Sequence, residues 1–388
     1  MATRMKVLLA VVLLFSCRQT SQGSGWPQFR GDASRSGYTS EPLRADLSLN
    51  WVYKPACPPQ PAWQAKDTRM PFDHAYHTII ADGLVFFGSS ADNKVYALDA
   101  ATGNRRWAFF LDSPVRFAPA YWKRRLYVCG DDGYLYCLRA KTGKLIWRKR
   151  GGPSADMLLG NGRMISRWPA RGAAAIVDDV LYFCAGIWPS EGIYLYALDP
   201  KTGKVLWLND SSGDIRMNQP HPGAQAASGV SAQGYITAAG DTLLMPTGRA
   251  IPAAFNRNDG TFRYFHLQRY GQVRPGPFAA LIGGFTFGGN ELFRADSGEL
   301  LLKGTPGSAI AAFPEHVVYA QGSSIKGIDR SKILGEKQTE DEQGNIEKRV
   351  VLSSPTWSIP CTEPVGVSLI GAGDTIVVGT KNHKIVTA

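Results

Sequence analysis

The 388-residue chain is poor in charge, in cysteine and in the signature motifs of catalysis. Asp, Glu, Lys and Arg make up 19% of it, where a soluble domain usually carries about a quarter. No Lys/Arg block reaches the length of a nucleic-acid arm; the densest run, Arg148-Lys149-Arg150, closes a β-like stretch. Nucleic-acid binding is therefore disfavoured, although the net charge of +11 attracts polyanions in general. GxSxG, HExxH and P-loop patterns are missing, so the chemistries those spacings serve find no support. The six cysteines are irregularly spaced and never form CxxC, which argues against a zinc site.

Turn formers and aromatics are what the chain has instead. It holds 42 Gly and 24 Pro, with 11% aromatic and 44% hydrophobic residues. That is enough apolar material for a large core, which excludes disorder over most of the length and favours an all-β protein. At the N-terminus, Arg4 and Lys6 precede an apolar run over 7–15 that is too short to span a bilayer and fits a signal-peptide core. The run ends in Leu14-Phe15-Ser16-Cys17, which resembles a bacterial lipobox. Residues 1–17 are expected to be a signal peptide with Cys17 as the lipidation site; secretion without a lipid is the alternative. Residues 18–46 form a lead-in, and 47–388 a single domain. Cys129, Cys137 and Cys184 lie in β-like runs and read as small buried hydrophobes. A disulfide between Cys57 and Cys361 is allowed in an oxidising compartment.

Internal repetition sets the architecture. Leu84 to Gly88, Val95 to Asp99, Thr102-Gly103 and Trp107 recur as Leu126 to Gly130, Leu135 to Arg139, Thr142-Gly143 and Trp147, displaced by 42 residues in the first segment and by 40 in the rest. A third copy, Leu181 to Cys184, Leu195 to Asp199, Thr202-Gly203 and Trp207, is displaced by a further 55 in its first segment and by 60 in the rest. Degenerate copies follow around Gly260, Gly298 and Asp329. About 40 residues in four short strands is the size of one propeller blade. Trp51, Trp107, Trp147, Trp207, Tyr264, Leu302 and Trp357 mark seven fourth strands, so the fold class is an all-β, seven-bladed β-propeller, with eight blades as the alternative. The last copy stops short of its fourth strand, and residues 47–54, bearing Trp51, are expected to supply it and close the ring.

The run Tyr96 to Trp107, repeated as Tyr196 to Trp207, resembles the tryptophan-docking repeat of pyrroloquinoline-quinone-type propellers. Trp26-Pro27-Gln28-Phe29-Arg30-Gly31-Asp32 looks like the lead-in of bacterial secreted members. The resemblance implies kinship with quinone-dependent dehydrogenases and with the propeller lipoprotein of the outer-membrane barrel-assembly machinery. It also implies vicinal cysteines beneath a quinone, and no Cys-Cys pair occurs here. Pyrroloquinoline quinone and calcium are therefore not expected, and the balance is against an enzyme.

Strand alternation assigns the long connections 55–72, 149–170 and 208–233, with shorter additions at 185–193 and 246–252, to one face, where binding loops usually sit. The excursion from Ser331 to Arg349 falls on the opposite face and reads as a solvated loop. His74, Arg116 and Arg171 occupy equivalent positions at the starts of first strands, and Arg167, Trp188, Glu191 and Arg249 lie in loops of the long-loop face. An Arg cluster with an aromatic neighbour suits a carboxylate or phosphate; bracing the loops is the competing role. His77 and Asp73 beside His74 are too few for a metal site. The expected function is a non-catalytic, monomeric propeller of the cell envelope, periplasmic and membrane-anchored if Cys17 is modified, binding a protein partner or an anionic ligand. A membrane-assembly scaffold is one version of this, and a quinone-dependent dehydrogenase the alternative.

Overall fold

The computed structural model describes residues 25–44, 47–62, 77–160, 162–219, 223–248, 250–267, 276–305, 309–340, 346–361, 365–380, 382 and 385–388. It is all-β. Among the described residues there are six four-stranded sheets, one five-stranded sheet and three two-stranded hairpins. The larger sheets follow the repeat, running up and down over 78–110, 120–150, 172–209, 237–264, 280–303, 310–360 and 365–387.

Tight turns make this possible. Asp82 and Gly83 both have positive φ (50° and 70°), as do Asp178 and Asp179 (50° and 57°), the twist that matches two right-twisted strands. After the third strand, Asp99 Oδ1 accepts from the backbone N–H of Ala101 (3.1 Å) and Thr102 (3.0 Å) and from the Thr102 hydroxyl (3.1 Å). Gly103 then turns the chain at φ 72°, and a Cβ there would meet the Trp51 indole at 2.5 Å.

Trp107, Trp147 and Trp207 each dock on the turn of the following sheet. Trp107 Nε1 donates to Ala140 O at 2.8 Å and its ring covers Gly143. Trp147 does the same at Lys201 O (3.3 Å) over Gly203, and Trp207 at Arg257 O (3.1 Å) over Gly260. Tyr264 takes over this duty in the degenerate copy, donating to Ala295 O at 3.0 Å above Gly298. Trp357 departs from the pattern: its indole lies against Gly327 of its own sheet, half-buried in a cluster shared with Leu369, Ile376 and Val378 of the next. The hydrophobic clusters lie between successive sheets, for example Phe86 and Val95 against Leu126 and Val128, or Tyr127 and Cys137 against Leu181 and Phe183. Such placement explains apolar residues on both strand faces.

Two expectations are revised. Residues 47–54 form no strand, and no ladder to Ile385–Thr387 is recorded among the described residues. The last sheet takes its fourth member from Tyr38–Thr39, parallel to its first strand. Trp51 nonetheless donates to Ala100 O at 3.0 Å, so the tryptophan holds its station without a ladder. Likewise, the excursion after Ser331 is a β-hairpin, Leu334–Glu340 with Ile346–Leu352, rather than a loop. Cys57 is exposed, Cys361 is buried, and both are free thiols.

Candidate functional site

The long connections meet on one face. The N–H of Gly186 donates to Pro169 O (3.0 Å), and Ser231 Oγ donates to Ile187 O (2.8 Å). The loops around 149–170, 185–193 and 208–233 are thereby locked together.

Arg116 and Arg171 do converge, and on a carboxylate. The turn Gly130-Asp131-Asp132-Gly133 brings Asp131 beneath them. Arg116 Nε lies 2.6 Å and Arg171 Nη2 3.3 Å from Asp131 Oδ2, with all three side chains almost wholly buried. Burial would push the Asp131 carboxyl up, but the two guanidiniums outweigh it and hold it below the usual range. Removing one partner from such a triad would leave a buried charge uncompensated, so these arginines brace the loops and are not available to an incoming anion. Next to them, burial pushes Asp132 up to about 6, against hydrogen bonds from Tyr136 Oη and Tyr134 N.

Arg167, Trp188 and Glu191 come together nearer the surface. Arg167 Nε donates to Glu191 Oε2 at 2.7 Å, and its guanidinium lies 5.3 Å from the Trp168 ring centroid. Trp168 Nε1 donates to Glu191 O at 2.6 Å, which seats the short 3₁₀ turn Pro189–Glu191. Leu158, Arg167, Trp188, Ser190 and Glu191 line an open cleft of about 260 Å³.

One side of that cleft is a hairpin within the connection 149–170: Met157–Gly160 paired with Arg163–Ser166. Its inner face buries Ile165, while Met157, Leu159 and Met164 stand out on the other, Leu159 72% and Met164 52% exposed. The hairpin is pinned from below, by Ser113 Oγ to Met164 O (2.7 Å) and Ser166 N to Asp131 O (2.7 Å). Two apolar runs flanking Gly160-Asn161-Gly162 were the available signal. Asp131 carried no signal beyond a turn.

His77 is elsewhere. It stacks on Phe29 (4.7 Å between centroids) and its Nδ1 is 2.6 Å from Tyr235 Oη, at the centre of the sheets. His74, Arg249 and Cys17 lie outside the described residues. Burial pushes the Cys129 thiol up to about 12 and the Cys184 thiol up as well, which suits packing and not nucleophilic chemistry.

Comparisons with known proteins fit this fold. A family profile described as "Outer membrane protein assembly factor BamB" matches residues 60–240. The dehydrogenase subunit of a quinone alcohol dehydrogenase from Gluconobacter oxydans is 32% identical over 168 residues, 37% of this chain and 22% of that protein. Outer membrane protein assembly factor BamB of Yersinia pestis is 28% identical over 161 residues, 39% of this chain and 36% of that protein. The chain thus matches well under half the length of these curated relatives. The crystal structure of quinohemoprotein alcohol dehydrogenase from Comamonas testosteroni superposes with a TM-score of 0.56 at 16% identity, covering 95% of this chain and 72% of that one, a likeness of fold.

Proposed function

We propose that the chain is a pyrroloquinoline-quinone-type repeat propeller, which the profile match over residues 60–240 and the likeness to the Yersinia pestis protein support, and that it is a non-catalytic protein of the bacterial cell envelope that docks a protein partner on its long-loop face. On this reading the seven sheets are the blades of a closed ring, residues 1–17 are a signal peptide, and Cys17 tethers the body to a membrane. One observation carries the docking assignment: the exposed apolar Met157, Leu159 and Met164 stand on the hairpin whose other face sends Leu158 into the cleft of Arg167, Trp188 and Glu191. A rigid apolar ridge rimmed by polar groups is the usual make-up of a protein interface. A protein is favoured over a small anion because Arg116 and Arg171 are already committed to Asp131. The likeness to the assembly factor of Yersinia pestis supports a scaffold role. Capture of partners from envelope extract by the purified protein should fall at least about tenfold in Leu159→Asp/Met164→Asp, with an unchanged melting temperature. Undiminished capture would remove the ridge from the site.

The likeness to the Gluconobacter oxydans subunit keeps a quinone-dependent dehydrogenase as the second reading. The described residues fit its cofactor poorly. Calcium takes six to eight oxygens, whereas Asp131 is held by two guanidiniums, and no group of three His, Cys, Asp or Glu stands together among the described residues. Dye-linked alcohol oxidation after addition of quinone and calcium would favour this second reading.

A further inference from the structure

The first strands of all seven sheets surround one short stretch of chain, residues 25–39, and its hydrogen bonds reach them in chain order. Trp26 exchanges two backbone bonds with Ile80 of the first sheet (2.7 and 2.9 Å), and Pro27 O accepts from Tyr121 N of the second (2.8 Å). The Gln28 amide closes a pair of 2.8 Å bonds with the backbone of Ile176 in the third. Ala33 O then accepts from Ala238 N (2.8 Å), Ser34 O from Leu281 N (2.9 Å), Ser36 O from Ala312 N (2.9 Å) and Gly37 O from Gly371 N (2.8 Å), one in each remaining sheet. No sheet is passed over.

Two arginines lock this arrangement. Arg35 is wholly buried and sends Nε and Nη2 to Ile236 O (3.0 and 2.6 Å), Nη2 also to Ala174 O (3.5 Å), and Nη1 to Phe29 O (2.9 Å) and Asp32 O (3.1 Å). Arg30 Nη2 donates to Ile310 O and, at 3.5 Å, to Leu369 O, in the sixth and last sheets. The segment keeps its own shape through Asp32, which accepts from Ser34 Oγ (2.9 Å), Ser36 N (3.0 Å) and Ser36 Oγ (2.5 Å). Positive φ at Arg30 (59°), Gly31 (89°), Arg35 (61°) and Gly37 (69°) lets it coil. Phe29 stacks on Tyr235 at 3.8 Å between centroids.

The inner edge of each sheet would otherwise present backbone donors with nothing to receive them, which is costly where they are buried. A strand continuing one sheet could serve only that sheet, whereas a coiled segment serves seven. The same fifteen residues bond Ile80 in the first sheet and Gly371 in the last. We propose that the centre of the seven sheets is a peptide-binding site whose ligand is residues 25–39 of the same chain, and that this internal ligand holds the first and last sheets together.

The test uses the full chain with a protease recognition sequence inserted in the exposed stretch between Leu47 and Ser48. After cutting of the folded protein, the N-terminal piece should stay with the body through gel filtration in native buffer and part from it in denaturant. Arg35→Met should lower the retained fraction at least about tenfold, since it removes charged donors from several buried carbonyls. Gln28→Ala, a milder change for the case that Arg35→Met does not fold, should lower it several-fold. Amide exchange at Tyr121, Ala238, Leu281, Ala312 and Gly371 should be slow in the uncut protein and rise wherever the piece is lost. A body that unfolds on losing the piece supports the same assignment. Separation of the piece in native buffer, with the body keeping its melting temperature and slow amides, would overturn it.

Discussion

Asp132 shows how one buried residue sets a dependence on pH. Its folded carboxyl is pushed up by burial to about 6, from an ordinary 3.8. The folded state therefore favours the protonated form: the stabilising contribution is complete below the ordinary value and is lost as pH rises through about 6. Asp132→Asn should abolish a loss of about 3 kcal/mol between pH 4 and pH 7, read as the difference between the two proteins' urea midpoints. Asp131, held down by Arg116 and Arg171, has the opposite sign and weakens as pH falls through its folded value. The two arginines were legible in the sequence by aligning repeats. Their shared carboxylate was not, because Gly130-Asp131-Asp132-Gly133 has the composition of any turn, and only the fold reveals which acid lies beneath which base.

At the level of elements, docking of one sheet on the next rests on paired features four strands apart. Trp107→Ala should cost roughly 2–4 kcal/mol, since the half-buried indole loses both its packing and its bond to Ala140 O. Gly143→Ala should cost about 1–2 kcal/mol through its left-handed backbone, and more through a Cβ placed 2.7 Å from the Trp107 ring. Chemical denaturation of the two single variants and the double variant checks this, with the double losing less than the sum because both act on one contact. Spacing made these pairs readable, since a Trp and a Gly at fixed offset have one geometric use. Trp357 does mark a fourth strand, Trp357–Pro360, but its offset is stretched by the Leu334–Leu352 hairpin and its ring settles on its own sheet. The Met157–Ser166 hairpin was hidden in a length of connection, where strand signals are short and long loops are the default reading.

For the whole molecule, the repeat announced a propeller-type, all-β chain, but the role of the lead-in was invisible. Trp26 to Tyr38 has no periodicity, and its bonds go to strands as much as 339 residues away, so no local pattern could place it at the centre. With the centre filled by the chain itself, the proposed docking of an outside molecule falls to the long-loop face and its exposed Met157, Leu159 and Met164. Photo-crosslinking from position 159 in intact envelopes tests that docking most directly, with exposed Phe110 on an outer strand as the control position. A discrete adduct with a protein from position 159 and none from 110 is the expected result; no adduct from 159, or the same adducts from both, would contradict it.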